Sequence, residues 1–310
     1  MAMKIAQMTK RIFLLVLVNI LVMTTITAVL GLLGVGRYFP QNGLAGLAVF
    51  CLVWGFGGAF ISLGLSRLMA KWMMGVQVIP PDTNNPGLRG LVDTVHQLAR
   101  EAGLPLPQVG IYQSDEVNAF ATGPSKSRAL VAVSTGLLER MGSREVEGVL
   151  GHEVTHIANG DMVTMTLIQG VVNAFVLFLS RVLAFFVVQA MRSRDDREEG
   201  GGGFFVQYLL VMVFQIVFSI LGSIVVCWFS RQREFRADAG GARLAGRQNM
   251  INALRALGQL YEPKLAAAEA SRAQSFQSLK ISGEPGRFLA LFATHPPIEE
   301  RIARLEQGTV

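Results

Sequence analysis

Four long stretches of this 310-residue chain are almost free of charged residues, and each is long enough to cross a membrane as a helix. A helix rises about 1.5 Å per residue, so a hydrocarbon core of about 30 Å needs roughly 20 apolar residues. The stretches are residues 12–35, 44–65, 162–191 and 204–230. They predict four apolar helices arranged as two membrane hairpins. Arg181 lies inside the third stretch, and because a charge is costly in lipid we expect it to reach the far interface or to face protein.

The rest of the chain has the pattern of an α+β domain. Leucine and valine recur at helical spacing over residues 88–98, and Ser143 is the predicted N-cap of a helix that ends near Gly160. Further helices are expected at 243–260 and 298–306. Short apolar runs between turn residues predict strands at 108–112, 117–121 and 129–133.

The predicted organisation is one soluble domain interrupted by membrane helices. Its four parts are a first hairpin at 1–66, the first part of the domain at 67–161, a second hairpin at 162–230 and the second part of the domain at 231–310. The four glycines at 200–203 are expected to form a flexible tip of the second hairpin, because glycine-rich chain has few conformational restraints.

Lysine and arginine beside the first hairpin predict its orientation, since these residues are enriched in cytoplasmic loops. Three basic residues precede residue 12, one lies between the two stretches, and Arg67 and Lys71 follow. The N-terminus and residues 66–161 are therefore expected in the cytoplasm, with the protein integral to the cytoplasmic (inner) membrane. Three arginines follow each stretch of the second hairpin, so the same rule leaves open whether that hairpin fully spans the bilayer.

Composition supports a membrane protein. Hydrophobic residues make up 51% and charged residues 16%, against about 25% charged in soluble domains, and the mean hydropathy is +0.42. These values exclude a disordered chain and a collagen-like one. The net charge of +6 does not favour nucleic-acid binding, because the basic residues flank the apolar stretches instead of forming one basic face.

The motif His152-Glu153-Val154-Thr155-His156 carries the clearest chemical signal. Residues i and i+4 share one helix face, so both imidazoles can reach one metal ion at about 2.0–2.1 Å. Glu153, next to His152, can take a proton from a water activated by that metal. Two of the four histidines of the chain fall in this pentapeptide, which argues against two unrelated surface histidines.

A catalytic zinc ion usually has three protein ligands and one open position. Glu234 and Asp238 follow the fourth apolar stretch and are also four residues apart. In one interpretation Glu234 binds the metal and Asp238 accepts the second N–H of His152, which fixes its tautomer. In the other, both carboxylates pair with nearby arginines at the membrane surface. Spacing alone does not decide between them.

These residues resemble the HtpX-type integral-membrane zinc endopeptidases, which are relatives of the CAAX prenyl proteases. The resemblance extends over nearly the whole chain, and includes Glu234-x-x-x-Asp238 downstream of the His-Glu-x-x-His motif and the segments 118–123 and 294–302. It implies a gluzincin-like metallopeptidase domain that faces the cytoplasm and holds one zinc ion per chain, with Glu234 as third ligand. It also implies that the substrates are damaged or misfolded membrane proteins.

Further site residues are predicted with less specific signals. The strand predicted at residues 117–121 either pairs with the substrate backbone or is only structural. His295, before two prolines, either donates a hydrogen bond to the reaction's oxyanion or belongs to an ordinary loop, and Asp161 is expected to be a turn residue and not a ligand. The predicted substrate-binding residues are Asn118, Ala119, Phe120 and Arg301.

The sequence thus predicts a membrane-anchored zinc endopeptidase with Glu153 as general base, acting on membrane-protein or peptide substrates beside the lipid bilayer. The alternatives are a non-catalytic scaffold or transporter, in which the motif is incidental, and a zinc-binding protein, which would not need Glu153. A transporter predicts ionisable residues within its spans, and Arg181 alone meets that description. The oligomeric state cannot be predicted from the sequence.

Overall fold

A computed structural model describes residues 43–191, 202–260 and 293–308. The predicted first span at 12–35 and the first two glycines of the 200–203 segment lie outside the described residues. The chain divides into two compact units, 51–261 with 285–310, and 1–50 with 262–284. Of the second unit only residues 43–50 are described, so the account below concerns the first.

Helices dominate the described chain, and a small sheet lies among them. The helices are α1 Gly43–Met73, α2 Pro86–Glu101, α3 Thr135–Arg140, α4 Ser143–Asn159, α5 Asp161–Met191, α6 Gly202–Leu244, α7 at residues 247–260, and α8 Ile298–Gln307. The strands are β1 Gln77–Val78, β2 Gln108–Tyr112, β3 Ala119–Thr122 and β4 Leu130–Ser134.

Helices α1, α5 and α6 are long and apolar enough to cross a membrane. They correspond to three of the four predicted spans. Large apolar side chains on their outer faces, such as Ile61, Phe175 and Leu221, are more than half exposed. Such exposure is costly in water and costs nothing in lipid, so these faces are those of membrane helices.

Small residues allow the membrane helices to approach closely, as is common in bilayers. A methyl group on Gly55 of α1 would lie 2.5 Å from the backbone nitrogen of Ala174 on α5. One on Gly222 of α6 would lie 2.6 Å from a methyl of Val172 on α5. Helices α5 and α6 therefore form a tightly packed antiparallel pair.

The sheet has the order β1-β2-β4-β3. Strands β2 and β4 are parallel, whereas β1 and β3 pair antiparallel with their neighbours. The core between the sheet and α2 and α4 contains fully buried apolar side chains, including Val131, Leu150 and Ile157. Strand β3 is at one edge of the sheet, so its outer backbone groups face away from β4.

Several predicted boundaries differ from the structure. The predicted helix at 243–260 is interrupted at residues 245–246, and the strands predicted at 117–121 and 129–133 are β3 and β4, at 119–122 and 130–134. Helix α4 does begin at Ser143, but its N-cap is Gly142, whose N–H donates to the Glu145 carboxylate at 2.8 Å. A sequence pattern does not distinguish caps one residue apart. The predicted domain boundary at 230/231 falls inside α6, which continues without interruption from its apolar part into the part that carries Glu234. The four-part division of the chain remains a prediction.

Glycines also bring α4 against the C-terminal part of α6. A methyl group on Gly151 of α4 would lie 2.9 Å from the Ala245 side chain, and one on Gly241 of α6 would lie 3.0 Å from the backbone nitrogen of His152. A methyl group on Gly240 would overlap the Thr155 side chain. This contact determines how closely α6 approaches the histidine-bearing helix.

We expect Gly240→Ala to lower the free energy of unfolding by about 1–3 kcal/mol, because the added methyl overpacks a close helix contact. Thr155→Ala removes the overlapping atoms, so the double variant should lose less than the sum of the two single losses. Gly90→Ala is the control, because Gly90 lies on α2 with open space around it and alanine favours a helix. Denaturant unfolding of the detergent-solubilised protein measures the free energy of unfolding of the two single variants, the double variant and the control. Additive losses would contradict a direct contact.

Candidate metal centre

Helix α4 carries His152 and His156 on one face, one turn apart. Both are buried, and their Nε2 atoms are 3.1 Å from each other. The helix ends at Asn159, because Gly160 adopts a left-handed backbone conformation with φ of 69°. The spacing predicted from the motif therefore does place two imidazole nitrogens at one point.

Glu234 on α6 brings a carboxylate to the same point. Its two oxygens lie 3.4 Å from His152 Nε2 and 3.4 Å from His156 Nε2, and the residue is 1% exposed. Ligand atoms about 2.1 Å from a tetrahedral ion are about 3.4 Å apart, so these three groups fit a zinc-sized cation without rearrangement. His156 precedes α5 and Glu234 follows the apolar part of α6. Because the two residues meet, the chain must enter α5 and leave the apolar part of α6 on the same side of the membrane.

Asp238, one turn further along α6, binds the other nitrogen of His152. The distance from His152 Nδ1 to Asp238 Oδ1 is 2.9 Å. Arg301 of α8 donates to both oxygens of Asp238, at 2.8 Å and 2.6 Å. With Nδ1 donating to Asp238, the lone pair of Nε2 is available to a metal.

Asp161 provides the matching contact for His156. His156 Nδ1 lies 2.6 Å from Asp161 Oδ2, and Asp161 is 3% exposed. Asp161 was predicted to be a turn residue, and it is instead the first residue of α5 with its carboxylate buried against the histidine. The sequence signal was an acidic residue five positions after His156, but helical periodicity does not relate residues on either side of the break at Gly160.

The electrostatics of this cluster favour a positive charge. Burial lowers the pKa of His152, but its bonds to Asp238 and Glu234 outweigh this and raise the pKa to about 9. Burial raises the pKa of the Glu234 carboxyl, and hydrogen bonds from His152, His156 and His295 outweigh it and lower the pKa. Carboxylates that favour a proton between these groups also favour a divalent cation there.

A cleft of about 300 Å³ opens beside this cluster and is lined by His152 and Glu234. Glu153 lines it, and among the described residues no side chain hydrogen-bonds to its carboxylate. Asn118 and Ala119 line the cleft from the side of β3. Apolar residues from three helices form much of the remaining wall, namely Leu137, Val149, Met250, Leu254 and Leu257. The wall of the cleft next to the His-His-Glu cluster is therefore largely apolar.

Three other predicted residues are placed in different surroundings. His295 lines the cleft with its side chain 62% exposed, and its Nδ1 lies 2.8 Å from Glu234 Oε2. Arg301 also lines the cleft but is buried against Asp238. The Phe120 side chain packs against Tyr112 on the other face of the sheet, with ring centroids 5.7 Å apart. A strand alternates its faces, so Ala119 and Phe120 cannot both point into the cleft.

A buried His-His-Glu cluster at the end of long apolar helices, beside a glutamate with no side-chain partner among the described residues, is typical of a membrane metallopeptidase. Comparison with known proteins gives the same class. Residues 89–309 match the model of peptidase family M48. "Protease HtpX homolog" of Methylacidiphilum infernorum is 51% identical over 302 residues, covering 97% of this chain and 99% of its own. "Protease HtpX homolog" of Bacillus subtilis is 53% identical, covering 96% and 99%.

The chain belongs to peptidase family M48, and the resemblance to HtpX-type proteases is confirmed. In fold it is similar to a solved structure, Ste24p of S. mikatae, with a TM-score of 0.57 and 16% identity. That match covers 91% of this chain and 64% of the longer Ste24p chain. The protein is a metallopeptidase of the membrane, as the sequence predicts.

Proposed function

We propose that the protein is a zinc endopeptidase that hydrolyses damaged or misfolded membrane proteins at the membrane surface. The observation that carries this proposal is the separation of 3.1–3.4 Å between the nearest atoms of His152, His156 and Glu234, next to a cleft lined by Glu153. These three residues would hold one zinc ion. When bound, zinc polarises the peptide carbonyl and lowers the pKa of water to about 7.

Glu153 takes the proton of the attacking water and passes it to the leaving amine. Its exposure to the cleft and its freedom from other partners among the described residues support this role. His295 donates to the carbonyl oxygen as negative charge develops there, and its exposed ring supports a role that requires contact with substrate. Asp238, held by Arg301, keeps the tautomer of His152 fixed.

The substrate backbone adds to the edge of the sheet at β3. Residues Asn118 and Ala119 face the cleft, and the outer side of β3 is not paired with another described strand. Extended peptides commonly pair with such edges through main-chain hydrogen bonds. In this arrangement Phe120 contributes its backbone, while Leu257 and its apolar neighbours receive a substrate side chain.

The site lies at the cytoplasmic membrane surface in this proposal. Trp72 near the end of α1 and Trp228 near the end of the apolar part of α6 are both exposed. Trp72 follows Lys71, and Trp228 lies three residues before Arg231. Tryptophan with lysine or arginine is typical of the membrane interface. The basic residues Arg67 and Lys71 on α1 support the cytoplasmic side.

Two alternatives find less support. A transporter needs ionisable residues along its spans, and within the three described apolar helices Arg181 alone lies deep in a span. A zinc-binding protein without activity would need the His-His-Glu cluster only. It would not need the cleft or a carboxylate at Glu153, which has no side-chain partner in the described part of the chain.

Inverted and right-side-out membrane vesicles containing the protein test both the chemistry and the orientation. We expect an added unfolded protein to be cleaved by inverted vesicles only, since these expose the cytoplasmic face. A chelator should abolish cleavage, and zinc in slight excess should restore it. Cleavage that survives chelation would contradict a metallopeptidase mechanism. Chelator-sensitive cleavage by right-side-out vesicles alone would contradict the orientation and leave the mechanism intact.

A further inference from the structure

We infer that Asp161 orients His156 toward the metal, and that it does so from the first turn of a membrane-spanning helix. The inference rests on the proposed zinc site. Its observation is the contact of 2.6 Å between His156 Nδ1 and Asp161 Oδ2, made by a carboxylate that is 3% exposed. A buried carboxylate at this distance from an imidazole is a strong, specific partner.

The contact determines which nitrogen of His156 carries the proton. His156 Nε2 points at His152 Nε2 and at Glu234, at 3.1 Å and 3.4 Å. An ionised carboxylate can only accept a hydrogen bond, so the proton of the neutral ring lies on Nδ1. The lone pair of Nε2 is then directed at the metal position, and the ring cannot rotate without losing its bond to Asp161.

A purely local role for Asp161 does not account for its position. An acidic residue at the start of a helix is favoured by the helix dipole, and a capping carboxylate bonds to the free amides of the first turn. The amides of Val163 and Thr164 bond to the carbonyl of Gly160 instead. Among the described residues, the contact of the Asp161 carboxylate is with His156, and a capping role would not require its burial.

Both histidines are thus oriented by carboxylates from the same antiparallel helix pair. Asp161 is the first residue of α5, before its apolar part, and Asp238 is near the end of α6, after its apolar part. The metal site therefore depends on the positions of both α5 and α6. Each helix contributes a carboxylate that orients one histidine, and α6 also carries the ligand Glu234.

The test compares zinc affinity and cobalt spectra of the full-length protein in detergent. By competition with a chelator, we expect Asp161→Ala to bind zinc about 10- to 100-fold more weakly than wild type. Asp161→Asn keeps an oxygen acceptor without the charge, so its affinity should lie between the two. With Co²⁺ in place of zinc, the visible absorption bands of Asp161→Ala should shift, because they report ligand geometry. Glu299→Ala is the control, since Glu299 is an exposed acidic residue in the first turn of α8.

Wild-type zinc affinity and an unchanged cobalt spectrum in Asp161→Ala would overturn the inference, even if its melting temperature fell. If the alanine variant does not fold, the isosteric Asp161→Asn carries the test by the same two measurements. If the wild type itself binds neither zinc nor cobalt, the proposed function fails together with the inference. If the wild type binds both and the variants match it, only the role of Asp161 fails.

Discussion

Replacing Glu153 with glutamine is expected to lower the rate of peptide hydrolysis at least about a hundredfold while zinc remains bound. The amide has nearly the same shape as the carboxylate but cannot accept the proton of water. Glu153 lies on the cleft side of α4, outside the cluster of His152, His156 and Glu234. Its loss therefore removes the base without removing a ligand.

The matched control is Glu147→Gln on the same helix. Glu147 accepts a hydrogen bond from Asn249 at 3.2 Å and does not line the cleft. This variant therefore replaces a carboxylate of α4 with an amide away from the cleft. Rates of cleavage of a model membrane protein, zinc content and melting temperature should be measured for both variants. We expect Glu147→Gln to retain near wild-type rates. Comparable cleavage by Glu153→Gln at full zinc content would overturn the mechanism.

Residue periodicity was sufficient to predict the parts of the site that lie within one continuous helix. His152 and His156 are four residues apart on α4, and Glu234 and Asp238 are four residues apart on α6, so each pair shares a face whatever the tertiary fold. Their convergence could not be derived from spacing. This convergence depends on glycine contacts between α4 and α6. In the sequence, only the resemblance to a family indicated it.

Contacts that depend on a helix break, on tertiary packing or on the orientation of a short strand could not be predicted from the sequence pattern. Asp161 follows a helix break at Gly160, so no periodic pattern connects it to His156. Arg301 reaches Asp238 across 63 positions of sequence, a distance over which side-chain pairing is set by tertiary packing alone. The side of Phe120 depends on which face of β3 is turned to the cleft, and the short strand pattern did not determine it.

The membrane helices were the easiest elements to predict and their boundaries the hardest. Apolar stretches of this length have few alternatives to a membrane helix, and α1, α5 and α6 agree with three predicted spans. Hydropathy predicts which part of a helix is in contact with lipid, but it does not predict the residue at which the helix ends. Helix α6 accordingly continues to Leu244, beyond the last apolar residue of its span.

The largest effect on metal binding is expected from Glu234→Ala. If Glu234 is the third ligand, the variant leaves two imidazoles, and zinc affinity should fall well beyond the roughly 10- to 100-fold expected for losing a carboxylate that only orients a ligand. Asp238→Asn is the control for that smaller loss, because Asp238 contacts His152 Nδ1 and lies on the same helix. The measurement is zinc stoichiometry after dialysis against a mild chelator.

The competing interpretation is that Glu234 serves only to pair with nearby basic side chains. Arg233 Nη2 lies 3.4 Å from Glu234 Oε1, and His295 Nδ1 lies 2.8 Å from Glu234 Oε2. In that case Glu234→Ala would lower stability and leave zinc in place. Arg233→Gln separates the two interpretations, because it removes the arginine contact and keeps the carboxylate. Zinc loss in Glu234→Ala with zinc retained in Arg233→Gln identifies a ligand, whereas full zinc retention in Glu234→Ala would discard the ligand set of His152, His156 and Glu234.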